Sequence, residues 1–429
     1  MSLEQGDLPP LVTVPPPGPR SRALCTHLAR VEAPGVNTLY RGHDQIVWAE
    51  ALGSNVLDVD SNRYLDFTSG FGVAFVGHRH PAVVAAVADQ AGRLVHGLGD
   101  VAAHPSRIAL ADRLCQLAPV DDPVVYFAIS GSDAIEVALK TALLATGRSV
   151  LLAFEPAYHG LTLGALAAGS RREFQAPFEA HLHGHVRRLP FGASPSALRS
   201  ALAPGDVAAV VVEPIVGREG VLLPPAGWLA ELAALARSTE TLVVADEIFT
   251  GFGKTGRRFV VEAEGIRPDL LVCGKALGGG LPIGAVVGTR VAMSAWASDG
   301  EARHTATFLA HPLACAAALA TLDVIENEEL VERARELGAH LAARTASWHQ
   351  RFSRTIHGTR GRGLLQAVEF AELATASRFA TRALDRGVIL LAGGPEGRTV
   401  QLVPPAVISR ERLDDALGRL ESVLGEQEP

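Results

Sequence analysis

Lysine is rare in this chain of 429 residues. It occurs only at Lys140, Lys254 and Lys275, so 36 of the 39 basic side chains are arginine. Lys275 closes the apolar run Leu270-Leu-Val-Cys-Gly and is followed by Ala-Leu-Gly-Gly-Gly-Leu-Pro. A lysine in a desolvated pocket loses proton affinity, and its free amine can condense with an aldehyde, which a guanidinium cannot do. A solvated surface lysine is the ordinary reading of such a residue. In a chain that otherwise writes arginine, that reading weakens. Lys140 stands four residues after Glu136 and is expected to pair with it on a helix surface.

Asp246 lies 29 residues before Lys275, at the end of the apolar run Thr241-Leu-Val-Val-Ala. A carboxylate beside a bound pyridine nitrogen keeps that nitrogen protonated and makes the ring an electron sink. A third feature is Ser130-Gly131-Ser132, where a strand-like run Val124–Ile129 turns into a helical pattern with apolar Ile135, Ala138, Leu139, Ala142 and Leu143. Such a turn aims free backbone N–H groups and the positive end of a helix dipole at one point, which suits a phosphate. Asp133 and Glu136 resemble a capping box, and Gly147 supplies a stop. A plain serine-capped helix is the equally good alternative on this segment alone.

The elements that must position these groups are legible as alternating strands and helices between about residues 105 and 312. Short Val/Leu/Ile-rich runs at 124–129, 149–154, 208–213, 241–246 and 270–273 suit buried strands, with helical patterns at 134–145 and 228–237. The fold class is α/β around a largely parallel sheet. In such sheets ligands collect beyond the carboxyl ends of the strands, which sends the turn, Asp246 and Lys275 to one rim. Residues 8–20 are proline-rich and are expected to be an extended or mobile leader. A long helical stretch is expected from Pro312 to about His349. The chain is divided as 1–66, a leader and a first flanking segment, 67–315, the large α/β domain, and 316–429, a second flanking segment open to pairing with the first into one small domain, which spacing alone does not show.

Composition excludes several classes. Apolar residues are 48% and charged residues 20%, ordinary for a globular enzyme, and a net charge of −7 offers no basic face for nucleic acid. The N-terminus has neither the basic nor the apolar region of a signal peptide, and no run is long enough to cross a membrane. The scattered cysteines at 25, 115, 273 and 315 read as reduced thiols without metal-ligand spacing, so the expected setting is the cytoplasm. Gly251-Phe-Gly-Lys-Thr-Gly256 matches a dinucleotide-binding string, but it follows two acids and leads into only a weak helical pattern.

Taken in order, several stretches resemble the class III aminotransferases of the fold-type I pyridoxal-5′-phosphate (PLP) enzymes. They are Gly70–Pro81, the turn at 130–132, Ala157-Tyr-His-Gly160, Glu213-Pro-Ile215, Asp246-Glu-Ile248 with 251–256, Gly274-Lys275-Ala-Leu-Gly-Gly-Gly, His304-Thr-Ala-Thr307, Arg360–Gly363 and Pro404-Pro405. The likeness implies a large domain with a mostly parallel seven-stranded sheet and a small domain built from both chain ends. It implies PLP as cofactor, Lys275 as the lysine that binds the cofactor aldehyde and shuttles a proton, and Asp246 as partner of the ring nitrogen. Tyr158 and Ile248 would cover the two ring faces. Gly131 and Ser132 would bind the phosphate, with Thr307 reaching it from the second subunit of a homodimer that shares its active sites.

The departures concern substrate. In the branch acting on γ-aminobutyrate and ornithine, a glutamate stands where this chain has Arg218, and a carboxylate-gripping arginine where it has Gln401. The usual glutamine after Asp-Glu-Val/Ile is Phe249. These changes, with a pocket wall near Phe71, put the glutamate/2-oxoglutarate pair in question and leave the imine chemistry untouched. The expected partners are a small-molecule amine donor and a carbonyl acceptor, with an aminosugar or another secondary-metabolite (antibiotic-type) intermediate as the amine. The rival expectations are an aminomutase of the glutamate-1-semialdehyde type, a nicotinamide oxidoreductase and a non-catalytic binding protein.

Overall fold

A computed structural model describes residues 2–36, 45–182 and 184–427, and divides the chain into two compact units. One comprises residues 1–80, 340–359 and 366–429, and the other residues 81–339 and 360–365. Among the described residues no helix is long and apolar enough to cross a membrane.

The larger unit holds a seven-stranded sheet in the order Pro123–Ala128, Gly284–Thr289, Leu270–Cys273, Leu242–Asp246, Val207–Val212, Val150–Glu155, Val186–Pro190. Six strands run in one direction, and Gly284–Thr289 alone runs against both its neighbours. Every residue of Val207–Val212 is buried, as an unbroken apolar run in a central parallel strand requires. The helix Gly131–Thr146 buries Ala134, Ile135, Ala138, Leu139 and Ala142 against the sheet. Its N-cap is Ser130, whose side chain accepts the Asp133 N–H, while Asp133 accepts the Ile129 N–H in return. Capping thus rests on Ser130 and Asp133, with Asp133 reaching past the cap to the Ile129 N–H, rather than on the Asp133–Glu136 pair expected. Gly147 ends the helix at φ +67° with its N–H on the Leu143 carbonyl.

Lys140 and Glu136 do not pair. Glu136 accepts the N–H groups of Gly164 and Ala165 at 2.7 and 3.1 Å, and the Lys140 ammonium meets His304 Nδ1 at 2.8 Å. Unpaired N–H groups at the start of the short helix Leu163–Ala168 are the better partners for that carboxylate. The expected long helix after Pro312 is two, Pro312–Asn327 and Leu330–Arg351, broken at Glu329 with φ +50°.

The smaller unit gathers both chain ends. Val388–Ile389 pairs in parallel with Arg63–Asp66, the Val403 N–H bonds to the Phe67 carbonyl, and the Ser69 hydroxyl donates to the Val403 carbonyl at 2.6 Å. These bonds carry residues 67–80 into this unit. Residues 316–339 fall in the larger one, since Pro312–Asn327 packs on the helices Pro81–Arg93 and Pro105–Leu117. Both boundaries thus differ from those read off the sequence. The proline-rich stretch is docked rather than free. Leu11 bridges Arg63, the Asn55 side chain accepts the Leu8 N–H, and the Asn62 side chain accepts those of Thr13 and Val14. Buried amides thus satisfy a segment that proline bars from regular pairing.

Candidate active site

The carboxyl ends of five same-direction strands meet at one rim and surround a cavity of about 460 Å³. Leu270–Cys273 delivers Lys275, Leu242–Asp246 delivers Asp246 and Ile248, Val207–Val212 delivers Glu213, Val150–Glu155 leads to Tyr158-His159-Gly160, and Pro123–Ala128 leads to Gly131 and Ser132. Arg218 and Phe249 complete one wall.

Backbone groups build the turn side. The N–H groups of Gly131 and Ser132 have no acceptor among the described residues and open the 16-residue helix. The Ser132 hydroxyl accepts the N–H groups of Leu161 and Thr162 and meets the Thr162 hydroxyl at 2.8 Å. Space here is tight: a Cβ on Gly160, at φ +130°, would lie 2.3 Å from Ser132 Oγ, and one on Gly131 would lie 3.1 Å from Ile248 Cδ1.

The floor is a buried charged group. Asp246 Oδ2 meets His159 Nδ1 at 2.8 Å, and Oδ1 accepts the Ile248 N–H. Burial pulls the His159 proton affinity down, but the bond and charge of Asp246, aided by Glu213, outweigh it and hold the imidazole above its ordinary value. Glu213 accepts the N–H groups of Tyr158 and Gly217; burial pushes its carboxyl up to about 7, His159 opposing and Asp246 adding to the rise. His159 Nε2 is buried without a hydrogen-bond partner among the described residues.

The wall holds cations against aromatic rings. Lys275, at φ +46°, sets its ammonium 4.2 Å from the Phe249 ring centre, and buried Lys254 lies 5.5 Å from the same ring. Burial lowers the Lys275 pKa and Arg218 adds to this, while Asp246 and Glu213 oppose it. Burial and the Lys275 charge pull Lys254 down to about 7. Burial thus favours the neutral amine of Lys275, the form that attacks an aldehyde.

The structure brings together Lys275, Asp246, Gly131, Ser132, Tyr158, Ile248 and Arg218. Thr307 is exposed and does not line this cavity, and Phe71 and Gln401 belong to the other unit. Sequence reasoning gave no role to His159, Glu213, Gly160 or Lys254. Glu213 carried the signal that exposed Asp246, an acid closing an apolar strand. The 251–256 string opens no helix beyond the four-residue Val260–Ala263 and so forms no dinucleotide site.

The family described as aminotransferase class-III matches residues 38–424. The chain belongs to the class-III aminotransferases. It is similar to the acetylornithine aminotransferase of Methanosarcina mazei, with 35% identity over 89% of this chain and 92% of that one. Its fold matches a Toxoplasma gondii ornithine aminotransferase crystallised with partial PLP occupancy (TM-score 0.85, 28% identity, 94% of each chain). It also matches a PLP-bound amine transaminase from an uncultivated Pseudomonas species (TM-score 0.83, 29% identity, 92% of this chain and 98% of that one). This class-III aminotransferase is a PLP-dependent transaminase of fold type I, which removes the oxidoreductase and non-catalytic expectations. The named relatives also favour transamination over an aminomutase. The residues present fit the cofactor: a glycine-lined helix start with two free N–H groups for its phosphate, a buried carboxylate for its ring nitrogen and an amine of lowered pKa for its aldehyde.

Proposed function

We propose that this transaminase moves an amino group from a primary amine outside the ornithine and γ-aminobutyrate series, with aminosugars and other secondary-metabolite intermediates as the donor class, to a keto acid or aldehyde. The observation that carries the reading is the wall beside the reacting amine: Phe249 packs on Lys275, and Arg218 lines the cavity at the position where the family resemblance implies a glutamate. The cofactor supplies an aldehyde for covalent capture of the amine and a ring that accepts electrons. Lys275 would bind that aldehyde and, once displaced by the substrate amine, would take the proton from the amine-bearing carbon and deliver it to the former aldehyde carbon. Asp246, braced by His159, would keep the ring nitrogen protonated. Gly131 and Ser132 would hold the phosphate, and Tyr158 and Ile248 would cover the ring faces.

We place the reaction in a homodimer in the cytoplasm. Leu98, Val101, Ile108 and Phe308 expose 55–76% of their surface in a single chain. The 98–101 and 306–308 segments adjoin, since a Cβ on Gly99 would lie 3.1 Å from the Thr307 carbonyl oxygen. Apolar exposure of this kind suits a second copy, whose Thr307 would reach the phosphate turn. The four free cysteines suit a reducing compartment.

A donor panel on the holoenzyme tests the substrate reading: aminosugars, simple primary amines, ornithine, acetylornithine and γ-aminobutyrate, each followed by loss of the visible cofactor band and regained with a keto acid. Faster turnover of ornithine or acetylornithine than of every other donor would reject it.

A further inference from the structure

The guanidinium of Arg218 is half-buried on the cavity wall, 4.2 Å from the Tyr158 ring centre and 5.6 Å from that of Phe174. It forms no hydrogen bond or ion pair with any described residue. The acids around it are committed elsewhere. Arg171 Nε donates to both oxygens of buried Glu219, at 2.8 and 3.0 Å. Glu213 is held by two backbone N–H groups, and Asp246 by His159 and the Ile248 N–H.

Ring contacts satisfy the face of a guanidinium and leave its in-plane N–H donors unused, and those donors match the two oxygens of a carboxylate. The Phe174 ring is shared, because Arg171, tied to Glu219, also lies 5.3 Å from its centre. Arg218 is thus restricted before any ligand arrives, which lowers the entropy lost on binding. Its charge also works against protonation of Lys275. A bound anion would offset that charge beside the reacting amine.

We propose that Arg218 is the anchor for the carboxylate of the keto-acid acceptor and of the amino acid formed from it. This rests on the transaminase reading and assigns the acidic half of the reaction to one side chain, while the amine donor needs no acid group.

The test uses holoenzyme carrying Arg218→Gln and Arg218→Lys, with acceptors that differ only by a carboxylate: pyruvate against acetaldehyde, and 2-oxobutyrate against propanal. In Arg218→Gln the kcat/KM preference for keto acid over matched aldehyde should fall about 10- to 100-fold, mostly through KM. Arg218→Lys should recover part of it, since an ammonium keeps the charge and loses the fork. Equal losses on keto acid and aldehyde would overturn the assignment, as would a fall in cofactor affinity with the preference intact. Absence of amino transfer by the wild-type enzyme with every acceptor would instead overturn the transaminase reading itself.

Discussion

The turn at residues 130–132 and the wall at Arg218 and Phe249 border one cavity and are built on opposite principles. The turn works through backbone N–H groups, fixed by a helix start, a serine cap and glycines that admit close approach. Its geometry is inherited from the sheet, so any chain with this turn offers an anion much the same donors. The wall works through long side chains held by ring stacking, with a guanidinium whose donors await a partner. One region suits a ligand part that never changes, the other a ligand part that differs between enzymes.

Breaking the chemistry that serves both regions should have the largest effect. Lys275→Ala should lower amino transfer by at least ~10³-fold and abolish the visible band of the lysine-bound cofactor, and Lys275→Arg should not restore it. Measurable single-turnover transfer by Lys275→Arg would remove the lysine from its assigned role. Next, Gly160→Ala should weaken PLP binding about 10-fold or more, since its Cβ would collide with Ser132 Oγ and φ +130° strains any other residue. Fluorescence titration of the apoprotein reads this directly, and unchanged affinity would mean that the turn is less rigid than its contacts suggest.

A smaller effect should sharpen the wall. Arg218 helps to hold the Lys275 pKa down, so Arg218→Gln should raise it and shift the pH midpoint of PLP capture by the apoprotein upward. A downward shift, followed by stopped-flow absorbance, would contradict that electrostatic account. The smallest effect lies outside both regions. Burial pushes Glu247 up to about 7, so the folded state holds its proton more tightly than the unfolded chain. The stability from that proton is complete below the ordinary carboxylate range and is lost as pH rises through about 7. Glu247→Gln keeps an uncharged group able to meet Thr250 and the Val261 N–H, so thermal stability relative to wild type should rise between about pH 5 and pH 8.

Much of the turn was legible in advance, because strand end, small polar turn and amphipathic helix are adjacent in the chain. Asp246 and Lys275 were legible for a related reason: each closes an apolar strand, and strand ends in parallel sheets point to one rim. His159 was not. Its value lies in a 2.8 Å bond to Asp246, 87 residues away, and a lone histidine in a loop announces nothing. A separation of 164 residues likewise hid the Lys140–His304 contact, for which a local pairing rule supplied Glu136 instead. The strand Gly284–Thr289 is absent from the runs named above; Gly284 and Gly288 dilute its apolar signal, and antiparallel pairing between two neighbours places it.

What the sequence determined by itself is therefore local: which residues end strands, where the turn opens a helix, and that an amine rather than a guanidinium stands at position 275. Tertiary structure alone decided which charges are spent and which remain available. Glu219 sits next to Arg218 in the chain, yet its carboxylate closes on Arg171, leaving the neighbouring guanidinium stacked on Tyr158 with its donors unused. Partner choice among charged side chains is set by distance and desolvation in three dimensions, and spacing along the chain does not carry it.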